Sequence, residues 1–219
     1  MTQNIFRNLT LLLVLQLVVT VFILIAPTNN IIKTVLLLIL WMLTFGPLTS
    51  REIGLFVMAC LFFSGMNVVA LKHGIFFFRH PDIGAMPLWE FFMYGFYLLH
   101  TLRMIKGPCP PADPVKVWFL VILMAAAFGC IADQHVLILV TFALLGLGLW
   151  WFHEPFDLMY TGYFIFLGAL IEYSGVYSGQ WAYPGHPPGG VPLWFITMWG
   201  GIGLLLRRLV VPIVFSPAK

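Results

Sequence analysis

Three ionisable side chains lie clearly inside apolar segments of this 219-residue chain: Glu90, Glu172 and His100. An ionisable group at mid-depth of a bilayer costs about 2.5–3.5 kcal/mol on insertion scales, so it is a candidate for function. A carboxyl group that is withdrawn from water tends to keep its proton and can then act as a general acid. The two glutamates are therefore our candidate catalytic residues. His100 is expected to be a buried hydrogen-bonding residue.

Glu90 follows Pro87 at the predicted start of a helix, where free backbone amides and the helix dipole favour a carboxylate. Tyr94, Tyr97 and Thr101 follow at spacings of four, three and four residues, which places them on the same helical face. This polar stripe on an otherwise apolar helix is expected to face the protein interior. The alternative is that Glu90 is only an acidic residue at the interfacial end of its helix.

Glu172 lies about one and a half turns before the predicted end of another helix. Gly168 and Gly175 share its face, and small residues there let neighbouring helices approach and enclose the carboxyl group. The alternative is an uncharged residue that forms a structural hydrogen bond between helices. Asp157 shares the face but lies about 22 Å away along the helix, so it belongs to a separate cluster with the predicted helix start at Glu154.

Aromatic residues are concentrated at the ends of the helices that carry the two glutamates. They are typical of an interfacial belt, and they also suit a cavity wall whose π faces stabilise a cation in a reacting lipid. We predict a substrate-binding set formed by Asn67, Phe76, Phe78, Trp89, Tyr94, Tyr97, Trp181, Tyr183 and Trp194.

Four polar residues of the nearby loops are weak candidates for metal ligands: His73, His80, Asp82 and His186. Imidazole and carboxylate groups are zinc ligands. However, the spacing of these residues matches no metal signature, and histidines in loops are usually solvated. We therefore predict neither a metal ion nor another cofactor.

Membrane helices have to position these residues, because the chain is 61% hydrophobic and 9% charged, with a mean hydropathy of +0.99. A soluble globule would need more polar side chains to cover its surface. Eight apolar runs approach the length needed to cross a hydrocarbon core of about 30 Å. These predicted transmembrane helices are roughly Leu9–Ile25, Ile31–Phe45, Ile53–Leu71, Pro87–Leu102, Val115–Ala132, Val136–Trp151, Leu158–Tyr177 and Val191–Leu206.

The sequence repeats itself with an offset of 105 residues. The offset carries the first four predicted helices onto the last four, and two of the best-matched positions differ: Glu90 aligns with Phe195, and Asn67 with Glu172. We expect function to depend on these differences. The motif of the first copy is Gly74-Ile75-Phe76-Phe77-Phe78, Gly84, Pro87-Leu88-Trp89, Gly95 and Arg103, and that of the second is Gly179-Gln180-Trp181-Ala182-Tyr183, Gly189, Pro192-Leu193-Trp194, Gly200 and Arg208.

The repeat predicts an all-α integral membrane protein built from two parallel four-helix repeats. The predicted parts are a first repeat at 1–106, a Pro-rich cytoplasmic linker at 107–114 and a second repeat at 115–219. An even number of helices per repeat gives both halves the same orientation, related by an axis along the membrane normal.

The distribution of Lys and Arg predicts the orientation in the membrane. Eight basic residues lie on the side of both termini, and three lie on the other side. Both termini are therefore predicted to be cytoplasmic and both motif loops periplasmic, in what we expect to be a bacterial inner membrane. This anchoring accounts for the net charge of +3, and no nucleic-acid partner is expected. The eight residues on the side of the termini are Arg7, Arg51, Arg103, Lys106, Lys116, Arg207, Arg208 and Lys219. The three on the other side are Lys33, Lys72 and Arg79.

The repeated motif resembles a known family. A glycine, an aromatic-x-aromatic pair, a glycine-containing loop and Pro-Leu-acid at a helix start are similar to the lycopene cyclase domain of carotenoid biosynthesis. The second copy is also similar to the membrane carotenoid hydratases, and Trp89-Glu90 is more distantly similar to small membrane terpene cyclases that open an epoxide with an acid. The matching residues are Gly74, Phe76, Phe78, Gly84, Pro87, Leu88 and Glu90 in the first copy, and Ile171-Glu172-Tyr173-Ser174-Gly175, Gly179, Trp181, Tyr183, Gly190, Val191 and Pro192 in the second.

One difference from the family bears on activity, since the cyclase pattern has two acids after Pro-Leu. This chain has Trp89-Glu90 in the first copy and Trp194-Phe195 in the second. The resemblance implies that a buried carboxyl group protonates a long isoprenoid, followed by ring closure or capture by water, without a redox cofactor. One glutamate would donate the proton, and the other would stabilise or remove one.

The expected partners are a lipophilic substrate from the bilayer and membrane lipids, and the sequence leaves the oligomeric state open. Two other functions fit the sequence. A transporter or lipid-binding protein could be built from parallel repeats, with a broken helix around Gly200, Gly201 and Gly203. A metal-dependent lipid hydrolase could use the histidines of the loops.

Overall fold

The computed structural model describes residues 2–27, 29–186 and 190–215, with side chains from residue 8 onward. The motif residue Gly189 and the basic residue Lys219 lie outside these ranges, and the side chain of Arg7 is not among those described. Within these ranges the chain is all-helical apart from two short strands, as predicted. The principal helices are α1 (Thr2–Ile25), α2 (Asn30–Phe45), α3 (Ser50–Lys72), α4 (Glu90–Met104), α5 (Pro114–Cys130), α6 (Gln134–Trp151), α7 (Pro155–Tyr177) and α8 (Trp194–Leu205).

Four helices in the described part of the chain are long and apolar enough to cross a membrane: Asn8–Ile25, Ser50–Lys72, Gln134–Trp151 and Trp194–Phe215. α2 and α5 are shorter apolar helices. Large apolar side chains cover the outer surface, including Leu43 at 79% exposure and Trp150 at 73%. Soluble monomers rarely expose contiguous apolar surface on this scale, and lipid would cover it. The fold thus has the membrane-protein character that the composition predicts.

Charged residues fix the helix ends that lie away from the motif loops. At the start of α3, the backbone N–H of Thr49 donates to Glu52 (2.9 Å), and Arg103 at the end of α4 donates to the same carboxylate at 2.6 and 3.0 Å. At the start of α7, the backbone N–H of Glu154 donates to Asp157 (3.0 Å). These contacts confirm the predicted helix start at Glu154.

Asp157 also binds Arg208, with its Oδ1 accepting from the guanidinium Nε at 2.7 Å. Arg208 lies in a short π-helical segment, Leu206–Val210, which connects α8 to a final short helix, α9 (Val211–Phe215). Asp157 is 0% exposed and Glu52 is 4% exposed, so both carboxylates are buried and each binds an arginine. The prediction that Asp157 belongs to a cluster separate from Glu172 agrees with these contacts.

The helix break that the transporter alternative requires does not occur in α8, which remains helical through Gly200, Gly201 and Gly203. These glycines permit close packing instead. A Cβ atom on Gly203 would lie 2.5 Å from the backbone oxygen of Tyr160 in α7. The irregular part of this helix lies directly after α8, in the π-helical segment that carries Arg207 and Arg208.

The two motif loops, which the sequence predicts as loops only, each contain a two-residue strand. β1 (Phe77–Phe78) and β2 (Trp181–Ala182) pair in antiparallel fashion, with Phe77 opposite Ala182. Ahead of each strand, Gly74 and Gly179 adopt positive φ angles of 68° and 73°, a conformation that strongly favours glycine. The repeated glycine of the motif thus turns the chain from the end of a helix into a strand. The pairing joins the two motif loops at one end of the molecule.

Candidate active site

Glu90 and Glu172 line the same cavity, which is bordered by the paired motif loops. Its volume is about 50 Å³, which is enough for a few water molecules. Seven of the nine predicted substrate-binding residues line it, and they come from α3, α4 and both loops. The full lining is Asn67, Phe76, Phe78, Glu90, Tyr94, Tyr97, Ile171, Glu172, Trp181, Tyr183, Met198 and Trp199.

The strand pair forms an aromatic cover over this cavity. The rings of Phe76 and Tyr183 have centroids 6.0 Å apart, and those of Phe78 and Trp181 are also 6.0 Å apart. Each loop contributes one ring to each contact, so strand pairing sets the positions of all four. The G-x-aromatic-x-aromatic spacing of the motif therefore places two side chains of each loop over the glutamates.

Glu172 lies within the last turns of α7 and accepts hydrogen bonds from aromatic side chains on both of its oxygens. Oε2 accepts from the hydroxyl of Tyr183 at 2.7 Å and from the indole Nε1 of Trp181 at 3.0 Å. Oε1 accepts from the indole Nε1 of Trp199 at 3.3 Å. The residue is 6% exposed, so these donors replace most of the water that a carboxylate would otherwise bind.

Tyr183 is a dependable donor because its hydroxyl keeps its proton. Burial raises the pKa of this phenol well above its usual range, and the adjacent carboxylate of Glu172 raises it further. The indole N–H groups of Trp181 and Trp199 can only donate. Glu172 is therefore the acceptor in all three hydrogen bonds. A negative charge on the acceptor strengthens such bonds.

Two glycines of α7 make room for the indoles that bind Glu172. A Cβ atom on Gly175 would lie 1.8 Å from the ring of Trp181, and one on Gly168 would lie 2.2 Å from the ring of Trp199. The sequence predicts that these glycines enclose the carboxyl group. The side chains that they admit are specifically the donors to that group.

Glu90 is the first residue of α4, and its backbone N–H donates to the carbonyl of Pro87 at 3.2 Å. Its Oε1 accepts from the amide of Asn67 in α3 at 2.7 Å. Among the described side chains, Asn67 is the one that donates to this carboxyl group. Glu90 is therefore held by a single neutral amide, whereas several aromatic donors hold Glu172.

Trp89 and Trp194 lie outside the lining of the cavity, although the sequence places them in the substrate-binding set. Trp89 is buried, and its Nε1 donates to Oδ1 of Asn30 at 3.1 Å. Trp194 packs against Tyr183 with ring centroids 5.9 Å apart, and its buried Nε1 has no partner among the described residues. Both indoles pack against rings of the aromatic cover.

Sequence reasoning misses Trp199, which both lines the cavity and binds Glu172. The repeat contains a signal for it, because Trp199 aligns with Tyr94, which is in the predicted set. His100 has the buried role that we expect. Its ring nitrogens contact Oε1 of Gln16 at 2.6 Å and the hydroxyl of Tyr163 at 2.5 Å.

The four metal-ligand candidates do not meet at one point. His80 and Asp82 line a polar basin, while Nε2 of His186 contacts Oε1 of Gln134 at 2.9 Å. His73 is an exposed residue at the end of α3. Across residues 2–27, 29–186 and 190–215, no three His, Cys, Asp or Glu side chains come together as a metal site.

Comparisons of the chain with known protein families, with curated proteins and with solved structures give no match. The central feature of the chain is a small aromatic cavity with two carboxyl groups that have different hydrogen-bond environments.

Proposed function

We propose that this protein is a membrane-embedded enzyme that modifies an isoprenoid-like lipid by proton-initiated chemistry, either cyclisation or hydration. One observation carries the proposal: Glu90 and Glu172 line one aromatic cavity but have different hydrogen-bond partners. Two carboxyl groups in different environments can divide the roles of acid and base between them. The resemblance of the motif to lycopene cyclases and carotenoid hydratases agrees with this reaction class.

Glu90 is the proton donor in this proposal, and Glu172 is the anionic partner. Glu172 accepts from Trp181, Tyr183 and Trp199, and such bonds stabilise a carboxylate. Glu90 has its single contact on Oε1, so its other oxygen is available to carry a proton into the cavity. The sequence leaves the donor open, and the hydrogen bonds favour Glu90.

The reaction begins when the carboxyl group of Glu90 transfers its proton to one carbon of a substrate C=C bond. A C–H bond forms, the π bond breaks, and a carbocation and the Glu90 carboxylate remain. A second C=C bond then attacks the cation to close a ring and leave a new carbocation, or water attacks to form a protonated alcohol. Loss of a proton to the Glu90 carboxylate completes either route and restores the acid. The faces of Tyr94, Trp181 and Trp199 stabilise the cation.

Substrate entry requires the aromatic cover to move, because a cavity of about 50 Å³ is too small for a prenyl chain. The strand pair is only two residues long on each side, so few backbone hydrogen bonds oppose its displacement. The apolar surface around the helices gives a lipid access from the bilayer. We propose that a prenyl group enters by displacing the rings that β1 and β2 carry.

The proposed architecture is eight transmembrane helices in two parallel repeats, with cytoplasmic termini and periplasmic motif loops in a bacterial inner membrane. Support comes from the strand register, since Phe77 pairs with Ala182, the residue 105 positions later. A residue that pairs with its own equivalent in an antiparallel ladder lies on a local two-fold axis. The ion pairs of Glu52 and Asp157, also 105 positions apart, agree with that symmetry.

The test is to express the wild-type chain, Glu90→Gln and Glu172→Gln in a bacterial host and to isolate the membranes. The membranes are incubated in deuterium oxide with defined acyclic isoprenoids that were made separately in ordinary water, and the lipid extracts are analysed by mass spectrometry. We expect the wild type to give a product that is isomeric with its substrate or heavier by one water, with deuterium bound to carbon. Both variants should lose this product because each removes a carboxyl group from the cavity.

The matched control is Asp133→Asn, the same type of change at an exposed helix cap. Asparagine also caps helices well, so this variant should retain product formation. Wild-type product levels in both glutamate variants would contradict the proposal. So would a product without deuterium on carbon, or the absence of any product from the whole set of isoprenoids.

A further inference from the structure

An open polar basin of about 690 Å³ lies at the same end of the molecule as the motif loops. It is formed by the α1–α2 connection, the segment after β1 and the turn before β2. Its lining contains basic and amide side chains, in contrast to the apolar surface elsewhere. The principal polar residues are Asn30, Lys33, Arg79, His80, Asp82 and Gln180.

Lys33 is a buried cation in the wall of this basin, with 1% of its surface exposed. Its Nζ donates to the backbone oxygen of Leu24 and to Oε1 of Gln180, both at 2.8 Å. An ammonium group has three N–H donors, so one donor remains after these contacts. Both partners are neutral, and no carboxylate forms an ion pair with Lys33 within the described residues. A buried charge without an opposite charge is costly, and an anion in the basin would offset this cost.

Arg79 adds a second permanent positive charge to the same basin. Its backbone N–H donates to the carbonyl of Gln180 at 3.0 Å, which holds it beside the residue that binds Lys33. Its side chain is exposed and forms no ion pair in the described part of the chain. Asp82 is the acidic residue in the lining, and its Oδ2 accepts from the backbone N–H of Leu88 at 2.9 Å.

We propose that this basin binds a phosphate-bearing anion, with Lys33 and Arg79 as its charged ligands. A guanidinium group matches the spacing of phosphate oxygens, and a lysine ammonium supplies a point charge. The amide of Asn29 and the ring of His80, which also line the basin, can add hydrogen bonds. The volume is sufficient for a phosphate together with part of the group that carries it.

The second half of the chain lacks an equivalent set of charges. Lys33 aligns with Ile138, and Arg79 aligns with Pro184. There, Gln134 and His186 form a hydrogen bond with each other. The pair of charges is therefore present at only one of the two equivalent positions of the repeat, as expected for a binding site and not for a general feature of the repeat.

The indole of Trp89 connects the basin to the carboxyl cavity. Asn30 lines the basin and accepts from Trp89, whose ring lies 6.3 Å from that of Trp181, a donor to Glu172. The anion site does not depend on the proposed enzymatic activity, since it is inferred from Lys33 and Arg79 alone. Its test therefore measures binding and not turnover.

The test uses the purified full-length chain in an uncharged detergent. Inorganic pyrophosphate is titrated in a calorimeter at constant ionic strength, and retained phosphatidylglycerol is counted by native mass spectrometry. The wild type is compared with Arg79→Gln, Lys33→Gln and the control Lys72→Gln, which removes an exposed charge that does not line the basin. We expect Arg79→Gln to weaken binding about tenfold, the loss typical of one charged hydrogen bond, and Lys72→Gln to bind as the wild type does.

The two probes distinguish the sources of the phosphate. Saturable binding of pyrophosphate that depends on Arg79 indicates a soluble phosphate compound, while retention of phosphatidylglycerol that depends on Arg79 indicates a lipid headgroup. If Lys33→Gln does not fold, because it loses its contacts to Leu24 and Gln180, the result for Arg79→Gln decides. The proposal is overturned if neither probe binds saturably, or if Arg79→Gln binds both probes as tightly as the wild type does.

Discussion

At the end of the molecule away from the motif loops, equivalent residues of the two sequence copies make equivalent contacts. Glu52 binds Arg103, and Asp157, which is 105 positions after Glu52, binds Arg208, which is 105 positions after Arg103. Both carboxylates also accept from the backbone N–H at the start of their own helix. In both copies, a carboxylate near the start of one helix thus binds an arginine at or just after the end of the following helix.

At the motif end, equivalent residues have different partners. Asn67 is a hydrogen-bond donor to Glu90, whereas its equivalent, Glu172, is an acceptor from three aromatic side chains. Those donors, Trp181, Tyr183 and Trp199, stand where the first copy has Phe76, Phe78 and Tyr94. The frame of the molecule, meaning its helices and the ion pairs that join them, is thus repeated in both copies, whereas the lining of the cavity differs between them. Substitutions that change one copy to match the other can test this directly.

The largest predicted effect concerns the frame. Asp157→Asn should destabilise the protein by about 3–5 kcal/mol, because it leaves the buried guanidinium of Arg208 without its main partner. Glu52→Gln is the matched change in the other copy. It should cost less, since the side chain of Arg103 is 28% exposed and can be solvated. Chemical denaturation of both variants in one detergent gives the comparison.

A difference in this direction would show that the second ion pair is the more important one for stability. Equal losses for Asp157→Asn and Glu52→Gln would contradict the assigned role of burial. Asp133→Asn, at the exposed start of α6, serves as a control for the removal of a carboxylate.

The next effect separates the two carboxyl groups of the cavity. Glu172→Gln should lower the free energy of unfolding by about 3 kcal/mol, because an amide NH₂ group replaces an acceptor and leaves buried indole or phenol donors without partners. Glu90→Gln should cost less than about 1 kcal/mol, since its amide oxygen can still accept from Asn67. Denaturation measurements on the purified variants test this. Equal destabilisation would show that the two groups are held alike.

A smaller effect is expected from a change that copies the first half into the second. Gly175 aligns with Ala70, and Gly175→Ala should cost about 1–3 kcal/mol, because the new methyl group would overlap the rigid indole of Trp181. Gly162→Ala on the same helix is the control, as no atom lies within 4 Å of its Cβ position. It should be neutral or slightly stabilising. Thermal denaturation of both variants measures the contrast.

The sequence predicts the frame better than it predicts the cavity. Apolar runs specify helices strongly, so most observed helix boundaries lie within three residues of the predicted ones, although α1 begins at Thr2 and not at Leu9. Glu154 caps the start of α7, as its motif indicates. The two glutamates can be selected because charge is rare in such segments. Their contacts cannot be read from one sequence, since Trp199 reaches Glu172 through the packing of α8 on α7. The burial of Lys33 is hidden for the same reason, because its partner Gln180 is 147 residues away.

The smallest predicted effect removes one donor from Glu172 and gives the second copy the residue of the first. Tyr183 aligns with Phe78, and Tyr183→Phe deletes the 2.7 Å hydrogen bond while it keeps the ring in the aromatic cover. The expected loss is about 1 kcal/mol, the net value of one buried hydrogen bond. Tyr173→Phe, an exposed tyrosine of α7, is the control and should be silent. Trp181 and Trp199 still donate to the carboxylate in this variant. A loss of stability as large as that of Glu172→Gln would therefore mean that Tyr183 alone holds this group. No loss would mean that the contact of Tyr183 adds nothing to the asymmetry of the cavity.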